Sequence, residues 1–264
     1  MRRKLIQIIC AILYNCNFTG FADGTIYQGD LKGVCVPGLN CYSCPGAIGS
    51  CPLGSLQTAL VSSKYKFPYY VLGMLLLFGV LLGRVVCGYL CPFGLIQELL
   101  YKISSKKLKK NRVTKILSYV KYIVLVVFVV VIPLTLAVPG FCKYICPAGT
   151  LEGGVPLVSM DERLQALLGG LFSWKMLVLI LVIGTAIFIF RGFCRFICPL
   201  GAFYGLFHKV SLVGMKVDES KCNHCNACVA HCKMDVKRVG DAECIQCGEC
   251  KGVCNRCAIS FGKK

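Results

Sequence analysis

Four long apolar segments alternate with shorter polar links along the chain. They cover residues 5–21, 69–86, 116–138 and 171–190. A helix needs about 20 apolar residues to cross the hydrocarbon core of a bilayer, and the last three segments approach or exceed that length. The first segment follows Arg2, Arg3 and Lys4 and also fits a signal peptide, but no small-residue cleavage site comes after it. The pattern therefore predicts four transmembrane helices.

The basic residues are distributed unevenly between the links. The link between the second and third segments carries Lys102, Lys106, Lys107, Lys109, Lys110 and Arg112. The tail after the fourth segment is also basic. The link before the second segment carries few basic residues, namely Lys32, Lys64 and Lys66. Because basic loops stay in the cytoplasm, we expect both termini there, in a multi-pass protein of the cell membrane.

The composition agrees with a membrane protein and argues against several other classes. Mean hydropathy is +0.68 and 56% of the residues are hydrophobic, which is too apolar for an ordinary soluble chain. The formal charge of +18 comes mostly from Lys and Arg beside the apolar segments, so nucleic acid is not expected as a partner. The 21 cysteines fall in CxxC, CxxxC and CP groups, a spacing typical of metal ligation rather than of a secreted disulfide framework.

The C-terminal tail contains two cysteine runs, CNHCNACVAHC and CIQCGECKGVC, with the spacing C-x2-C-x2-C-x3-C. This spacing ligates 4Fe-4S clusters, and in two-cluster ferredoxins the fourth cysteine of each run ligates the other cluster. One cluster is therefore assigned to Cys222, Cys225, Cys228 and Cys254. The other is assigned to Cys244, Cys247, Cys250 and Cys232. The alternative is a pair of zinc sites, which the doubled run of four cysteines disfavours.

The tetrapeptide CPxG occurs four times, at Cys51, Cys91, Cys146 and Cys198. Proline fits the first turn of a helix, so each of these cysteines is expected at a helix N-terminus, where free N–H groups and the helix dipole favour an anionic cluster. On the predicted topology the copies alternate between the outer and inner faces of the membrane. The two outer-to-inner units run in the same direction, which predicts two parallel repeats.

Three CPxG copies carry a further cysteine four residues earlier, and these complete the predicted membrane clusters. The inner set is Cys87, Cys91, Cys194 and Cys198. The outer candidates are Cys142 and Cys146 with two of Cys35, Cys41, Cys44 and Cys51. Cys51 begins a CPxG, but Ala47 occupies the position four residues before it, so its partner must be displaced to Cys44 or Cys41. We prefer Cys51 and Cys44. Cys10 and Cys16 fit the simpler interpretation of small apolar residues.

These motifs resemble those of a known family, the membrane-bound polyferredoxins. That family includes the NapH-type quinol dehydrogenase subunit of periplasmic nitrate reductase systems and the NosR-type membrane core of nitrous oxide reductase maturation. The resemblance rests on CGYLCPFGLIQ at Cys87, CRFICPLGAFYG at Cys194 and the paired ferredoxin runs. It implies an electron-transfer component of an oxidoreductase complex, with quinol or a ferredoxin-level donor at one end and a flavoprotein or haem protein at the other.

Several common cofactors have no support in the sequence. The three histidines lie outside the predicted spans, so a membrane haem held by two histidines is not expected. No CxxCH, Rossmann or P-loop motif is present for c-type haem, NAD or ATP. Arg84 and Lys121, near inner helix ends, are expected to extend toward the membrane surface, and Glu98 is expected on the surface of its helix.

The predicted fold is all-α in the membrane, with four transmembrane helices in two parallel repeats over residues 1–210. A small α+β ferredoxin domain with two clusters follows over residues 211–264. The leading hypothesis is transfer of single electrons through 4Fe-4S clusters, two in the ferredoxin domain and one or two in the membrane domain. The route would link a cytoplasmic redox pool to a partner at or across the membrane.

Two alternatives stay open at this point. One is a quinol dehydrogenase anchor whose electron route stays on one face of the membrane. The other is a redox-sensing or assembly protein whose clusters gate a partner without sustaining turnover. The expected partner protein is a flavoprotein or a ferredoxin, and quinone is the candidate small-molecule partner.

Overall fold

The computed structural model describes residues 2–62, 68–108 and 110–263, and these are mostly helical. The α-helices, in chain order, are α1 (Arg2–Tyr14), α2 (Thr19–Asp23), α3 (Pro52–Val61), α4 (Tyr69–Leu81), α5 (Pro92–Leu100), α6 (Arg112–Leu117), α7 (Val120–Val124), α8 (Ile132–Leu136), α9 (Gly140–Tyr144), α10 (Val155–Met160), α11 (Glu162–Ala166), α12 (Gly170–Phe188), α13 (Gly192–Phe196), α14 (Pro199–Leu206) and α15 (Ala227–His231). Segments of π-helix lie at Val86–Leu90, Leu125–Val131 and Gly149–Gly154, and 3-10 helix at Asp30–Gly33 and Glu249–Val253. Lys64, Lys66 and Lys109, three of the basic residues on which the predicted orientation depends, lie outside the described residues.

Two helical stretches are long and apolar enough to cross a membrane, by length and composition. They are Arg112–Leu136, whose 25 residues join α6, α7 and α8, and the 19 residues of α12. The other two predicted spans contain α1 and α4, each a helix of 13 residues. At 1.5 Å per residue such a helix is about 20 Å long, which is shorter than the hydrocarbon core. The layout of four spans in two repeats therefore stays a prediction.

The outward faces of these helices are apolar. Leu5 and Ile12 of α1, Ile123 of α7 and Ile180 of α12 are each more than half exposed. Large aliphatic side chains in such numbers on the surface are what a lipid-facing helix presents.

The CPxG prolines begin helices, as the sequence predicts. Cys51, Cys91 and Cys198 are the N-cap residues of α3, α5 and α14, and each is followed by proline in the first helical turn. Together with Cys146 they belong to the buried core rather than to the protein surface. The helix ends that carry these cysteines therefore point into the protein.

The C-terminal segment closes on itself through a small antiparallel sheet. Strand β1 (Val213–Val217) pairs with strand β2 (Ile259–Lys263), with Val217 opposite Ile259. Both cysteine runs of the tail lie between these strands in the sequence. The predicted domain boundary at residue 210 falls just before β1.

Candidate iron–sulfur cluster sites

The first ferredoxin set, which we call the distal quartet, surrounds one cavity. This cavity of about 120 Å³ is lined by Cys222, Cys225, Cys228 and Cys254. The backbone φ is positive at His224 and Asn226, and residues in this left-handed region bring successive N–H groups around a concave site that suits an anion. In the second run φ is positive at the equivalent positions, Gln246 and Gly248. The two runs therefore fold into the same kind of loop.

The second ferredoxin set, the proximal quartet, adjoins the first. Its members are Cys232, Cys244, Cys247 and Cys250. The Cys250 thiol is close enough to the other three thiols to interact with their charges, and the same holds for Cys228 in the distal quartet. Burial raises the pKa of Cys232 to about 11 and that of Cys250 to about 12. Thiols of this kind become ligands when a metal ion replaces the proton.

The four predicted inner cysteines also converge, and we call them the inner quartet. Cys87, Cys91, Cys194 and Cys198 are all buried. The thiols of Cys91 and Cys198 both lie within electrostatic range of Cys87 and Cys194, and Cys194 is hydrogen-bonded to Cys198. The N–H of Gly201 donates to Cys198 Sγ at 3.4 Å, as expected at the N-terminus of α14.

An outer quartet lines a cavity of about 780 Å³. Its members are Cys41, Cys51, Cys142 and Cys146. A Cβ at Gly149 would lie 3.7 Å from both Cys41 Sγ and Cys146 Sγ, and a Cβ at Gly54 would lie 3.8 Å from Cys142 Sγ. A side chain at either glycine would therefore enter the space between the thiols.

The structure brings Cys41 into this quartet, whereas the sequence favoured Cys44. Cys44 lines a separate cavity of about 290 Å³ beside α5. Cys41 and Cys44 lie in one turn, in which the Cys44 N–H donates to the Cys41 carbonyl at 3.2 Å. Their side chains line different cavities. Cys35 is buried with its thiol against Ser55. No sequence signal marks Cys41, because it precedes no proline and has no counterpart in the other CPxG copies.

Residues 37–41, which we call the bridging loop, run between the inner and outer quartets. The N–H of Leu39 donates to the Cys91 thiol, and the N–H of the next residue, Asn40, donates to the Cys51 thiol. Because consecutive residues lie only about 3.8 Å apart and each N–H bonds directly to its sulfur, the two sulfurs can be at most roughly 11 Å from each other. Gly38 packs so closely that a Cβ there would lie 3.0 Å from the Cα of Cys91. The inner and outer quartets are therefore much closer than the ~30 Å thickness of a hydrocarbon core.

The buried Tyr204 and the half-buried Glu152 fix the ends of the bridging loop. The Tyr204 hydroxyl donates to the Pro37 carbonyl at 3.0 Å. At the other end, the Cys41 N–H donates to Glu152 Oε2 at 2.7 Å. Burial raises the pKa of the Glu152 carboxyl to about 7. The sequence pattern singled out neither residue.

Buried cations of the helical domain pair with acids of the ferredoxin segment. Lys121 Nζ lies 2.6 Å from Glu243 Oε1, and Arg84 lies 3.4 Å from the same carboxylate. Arg195 pairs with Asp235. The side chains of the three cations are at most 2% exposed. The expectation that Arg84 and Lys121 extend toward the membrane surface is therefore wrong, because the ferredoxin carboxylates provide them with buried partners.

A second charged network fixes the N-terminus of α1 beside the inner quartet. Arg3 donates to both oxygens of the Glu98 carboxylate at 2.8 Å and to the Gly88 carbonyl at 3.1 Å. Arg191 lies 2.7 Å from the same carboxylate. Burial opposes ionisation of Glu98, but the hydrogen bonds and charges of the two arginines lower its pKa overall. Glu98 is only 5% exposed, so the expected surface position on its helix is wrong.

The proximal quartet meets the inner quartet at Gly88. A Cβ on Gly88 would clash with the Ile245 carbonyl oxygen and lie 3.8 Å from the Cys247 nitrogen. Gly88 directly follows Cys87, and Ile245 directly follows Cys244. The absence of a side chain at this position thus allows the ferredoxin loop to approach the inner quartet.

The thiols present fit 4Fe-4S clusters. Each quartet brings four cysteines near one another, and all of its members are free thiols. The distal and outer quartets each line one cavity. Four cysteine sulfurs with backbone N–H donors are the ligand set and the hydrogen-bonding environment of such a cluster.

Comparison with known proteins agrees with this donor set. The family model for the 4Fe-4S binding domain matches residues 67–111, 121–156 and 167–217, together half of the chain. The chain belongs to the 4Fe-4S binding domain family. It is 32% identical over 192 residues to the uncharacterized protein MJ0750 of Methanocaldococcus jannaschii, a match that covers 69% of this chain and 73% of that protein. No solved structure matches this 4Fe-4S protein.

Two further relatives are similar over a comparable length. The uncharacterized protein MJ0749 of the same organism is 31% identical over 189 residues, which cover 68% of this chain and 64% of that protein. The ferredoxin-type protein NapH of Haemophilus influenzae is 25% identical over 205 residues, which cover 72% of this chain and 66% of NapH. The polyferredoxin family predicted from the motifs is thereby confirmed. This 4Fe-4S protein is an iron–sulfur protein of electron transport.

If the close contact at Gly88 joins two redox sites, the change Gly88→Ala will push the ferredoxin loop away from the inner quartet. We expect a loss of about 1–3 kcal/mol in stability, typical of an overpacked contact, and slower electron exchange between the proximal and inner quartets. The measurement is thermal denaturation together with rapid-freeze EPR after reduction of the ferredoxin clusters. Gly252→Ala is the matched control, because a Cβ there would meet no atom within 4 Å. Equal behaviour of the two variants would contradict the prediction.

Proposed function

We propose that this 4Fe-4S protein conducts single electrons through four cysteine quartets in the order distal, proximal, inner and outer. The observation that carries this proposal is that each quartet adjoins the next. Cys250 lies near Cys228, Gly88 lies under the proximal loop, and the bridging loop bonds to thiols of both membrane quartets. Each bound cluster supplies a one-electron couple.

The proposed ligands follow the quartets of the structure. The ferredoxin and inner sets are those predicted from the sequence. In the outer set Cys41 takes the place proposed for Cys44, because it shares a cavity with the other three thiols. Cys10 and Cys16 have no place in the proposed route.

The route is proposed to cross a membrane, with residues 211–264 as the ferredoxin domain on the cytoplasmic side. Two helices of spanning length and the basic link before α6 support this orientation. Further support comes from α1, since Arg3 at one end bonds to residues around the inner quartet while Asn15 at the other end bonds to Asn40 of the bridging loop. The short separation of the two membrane quartets removes the main obstacle to such a route, because tunnelling rates fall exponentially with distance.

The proposed electron donor or acceptor at the distal quartet is a small acidic carrier, a ferredoxin or a flavoprotein. Cys225 is exposed there, and the exposed side chains of Lys237, Arg238 and Arg256 line the same cavity with one acid, Glu219. Asp235 and Glu243 are turned inward to the buried cations described above. A basic rim around an exposed cluster raises the association rate of an acidic partner.

Reversing two charges on this rim will slow reduction by an acidic carrier. For Lys237→Glu with Arg238→Glu we expect the second-order rate constant at low salt to fall by about tenfold or more, with a smaller effect at high salt. Stopped-flow reduction by a prereduced bacterial ferredoxin measures it. Lys102→Glu with Lys106→Glu is the control, because it makes the same change in net charge on the helical domain. If both pairs slow the reaction equally, the docking surface is not at the distal quartet.

The proposed function is tested by counting iron and acid-labile sulfide in anaerobically purified protein and by EPR of the reduced state. We expect about 16 iron atoms per chain, as four 4Fe-4S clusters require, and signals broadened by magnetic coupling between neighbouring clusters. A colourless protein without sulfide, or zinc in place of iron, would overturn the proposal.

A further inference from the structure

The residue six positions after each CPxG cysteine occupies an equivalent place in the structure. These residues are Gln57, Gln97, Glu152 and Tyr204. In the two copies that come first along the chain the residue is glutamine, and both glutamines are buried with at most 1% exposure. Sequence periodicity does not explain a buried amide at this position.

The two glutamines make the same set of contacts. Gln57 Oε1 accepts hydrogen bonds from the N–H groups of Phe141 and Cys142 at 2.9 and 3.4 Å. Its Nε2 donates to Cys142 Sγ at 3.2 Å. Two of these three contacts lie on Cys142, the cysteine that precedes the third CPxG cysteine by four residues.

Gln97 repeats the pattern at the inner quartet. Its Oε1 accepts from the N–H groups of Phe193 and Cys194 at 3.1 and 3.4 Å. Its Nε2 donates to Cys194 Sγ at 3.0 Å. The amide orientation is fixed in both cases, because only the oxygen can accept from two N–H groups, which leaves the nitrogen facing the sulfur.

We infer that Gln57 and Gln97 are paired positioning residues that hold one cysteine thiolate of each membrane quartet and set the reduction potential of the cluster bound there. The inference rests on the proposed function, since it takes both quartets as cluster ligands. A hydrogen bond to a ligand sulfur stabilises the more negative, reduced state and so raises the potential. Gln57 acts on the outer quartet and Gln97 on the inner quartet.

The other two equivalent residues hold the bridging loop instead. Glu152 accepts from the Cys41 N–H and Tyr204 donates to the Pro37 carbonyl, as described above. The partners of this side chain therefore differ between the CPxG copies. In the first two copies the glutamine contacts a thiol of α9 or α13. In the last two copies the residue contacts the bridging loop. Potential tuning is therefore assigned to the glutamines alone.

The test is an EPR-monitored redox titration of Gln97→Leu, Gln57→Leu and Gln165→Leu in the full chain. Gln165 is an exposed outer residue and serves as the matched control. We expect Gln97→Leu to lower the potential of the inner cluster only, Gln57→Leu to lower that of the outer cluster only, and Gln165→Leu to change neither. Unchanged potentials with full iron content, or shifts in the wrong cluster, would overturn the inference.

A second variant keeps the test decisive where leucine prevents cluster assembly. Gln97→Glu retains the oxygen that accepts from Phe193 and Cys194 but turns a carboxylate oxygen toward the sulfur. We expect a larger downward shift than with leucine, or loss of the inner cluster alone. A potential equal to or above that of the unmodified protein would contradict the inference. Absence of iron and sulfide from the unmodified protein would instead refute the proposed function.

Discussion

Loss of Cys41 will abolish the outer 4Fe-4S cluster, and loss of Cys44 will not. In Cys41→Ala three thiols remain around the outer cavity, so we expect the 4Fe-4S EPR signal of the outer cluster to disappear and the iron content to fall by up to about four atoms per chain. Cys44→Ala removes a thiol three residues away that lines a different cavity. EPR spectroscopy and iron analysis of the two variants make the comparison.

These variants make the same substitution at cysteines only three positions apart in one loop. They therefore separate ligation from a general effect of cysteine removal. A full iron content in Cys41→Ala together with a loss in Cys44→Ala would show that the outer set is the one favoured by the sequence. The remaining quartets are expected to keep their signals in both variants.

Neutralising Glu243 will weaken the attachment of the ferredoxin domain. In Glu243→Gln the buried cations Lys121 and Arg84 lose their shared carboxylate, and breaking a buried pair from one side costs about 3–5 kcal/mol. We expect a lower temperature for heat-induced cluster bleaching and slower reduction of the inner cluster from the ferredoxin side. Glu162→Gln is the control, because Glu162 is an exposed carboxylate of α11 and belongs to none of the charged networks described above.

A double variant identifies the cause of that loss. Lys121→Met in the Glu243→Gln background removes one of the two unpaired buried charges, and we expect it to recover part of the stability. No recovery would indicate that the ion pair is not what holds the two parts together. The measurement is the same bleaching transition, recorded for both single variants and for the double variant.

The grouping of cysteines within each motif could be predicted from the sequence because that spacing is local. The structure places the two inner motifs next to each other, and it also places the two ferredoxin runs next to each other. The motifs leave Cys41 as one of the open candidates but do not distinguish it from Cys44. The position of Cys41 depends on the bridging loop, which is held by Tyr204 and Glu152 from distant parts of the chain.

The buried charges show a second limit of sequence reasoning. Arg84 and Lys121 stand near the ends of apolar segments, a pattern that usually indicates extension to the membrane surface. Their partner Glu243 lies more than 120 positions further along the chain, in a tail whose placement on the helical domain no periodicity reveals. Glu98 was misjudged for the same reason, since Arg3 and Arg191 reach it from both sides.

The close approach of the two membrane quartets is the feature with the greatest consequence for function. Helix length alone places sites at opposite faces about 30 Å apart. Consecutive N–H groups of Leu39 and Asn40 instead bond to thiols of different quartets. The proposed route from the ferredoxin runs to the outer cavity depends on this loop.

Electron transfer across sealed proteoliposomes tests that route most directly. Clusters are reduced through the ferredoxin domain on one side, and a membrane-impermeant oxidant is supplied on the other side, with Cys198→Ala as the variant in which the inner quartet is incomplete. The proposed relay predicts that the oxidant reoxidises the ferredoxin clusters in the unmodified protein and not in Cys198→Ala. Reoxidation only by oxidant on the ferredoxin side would contradict it.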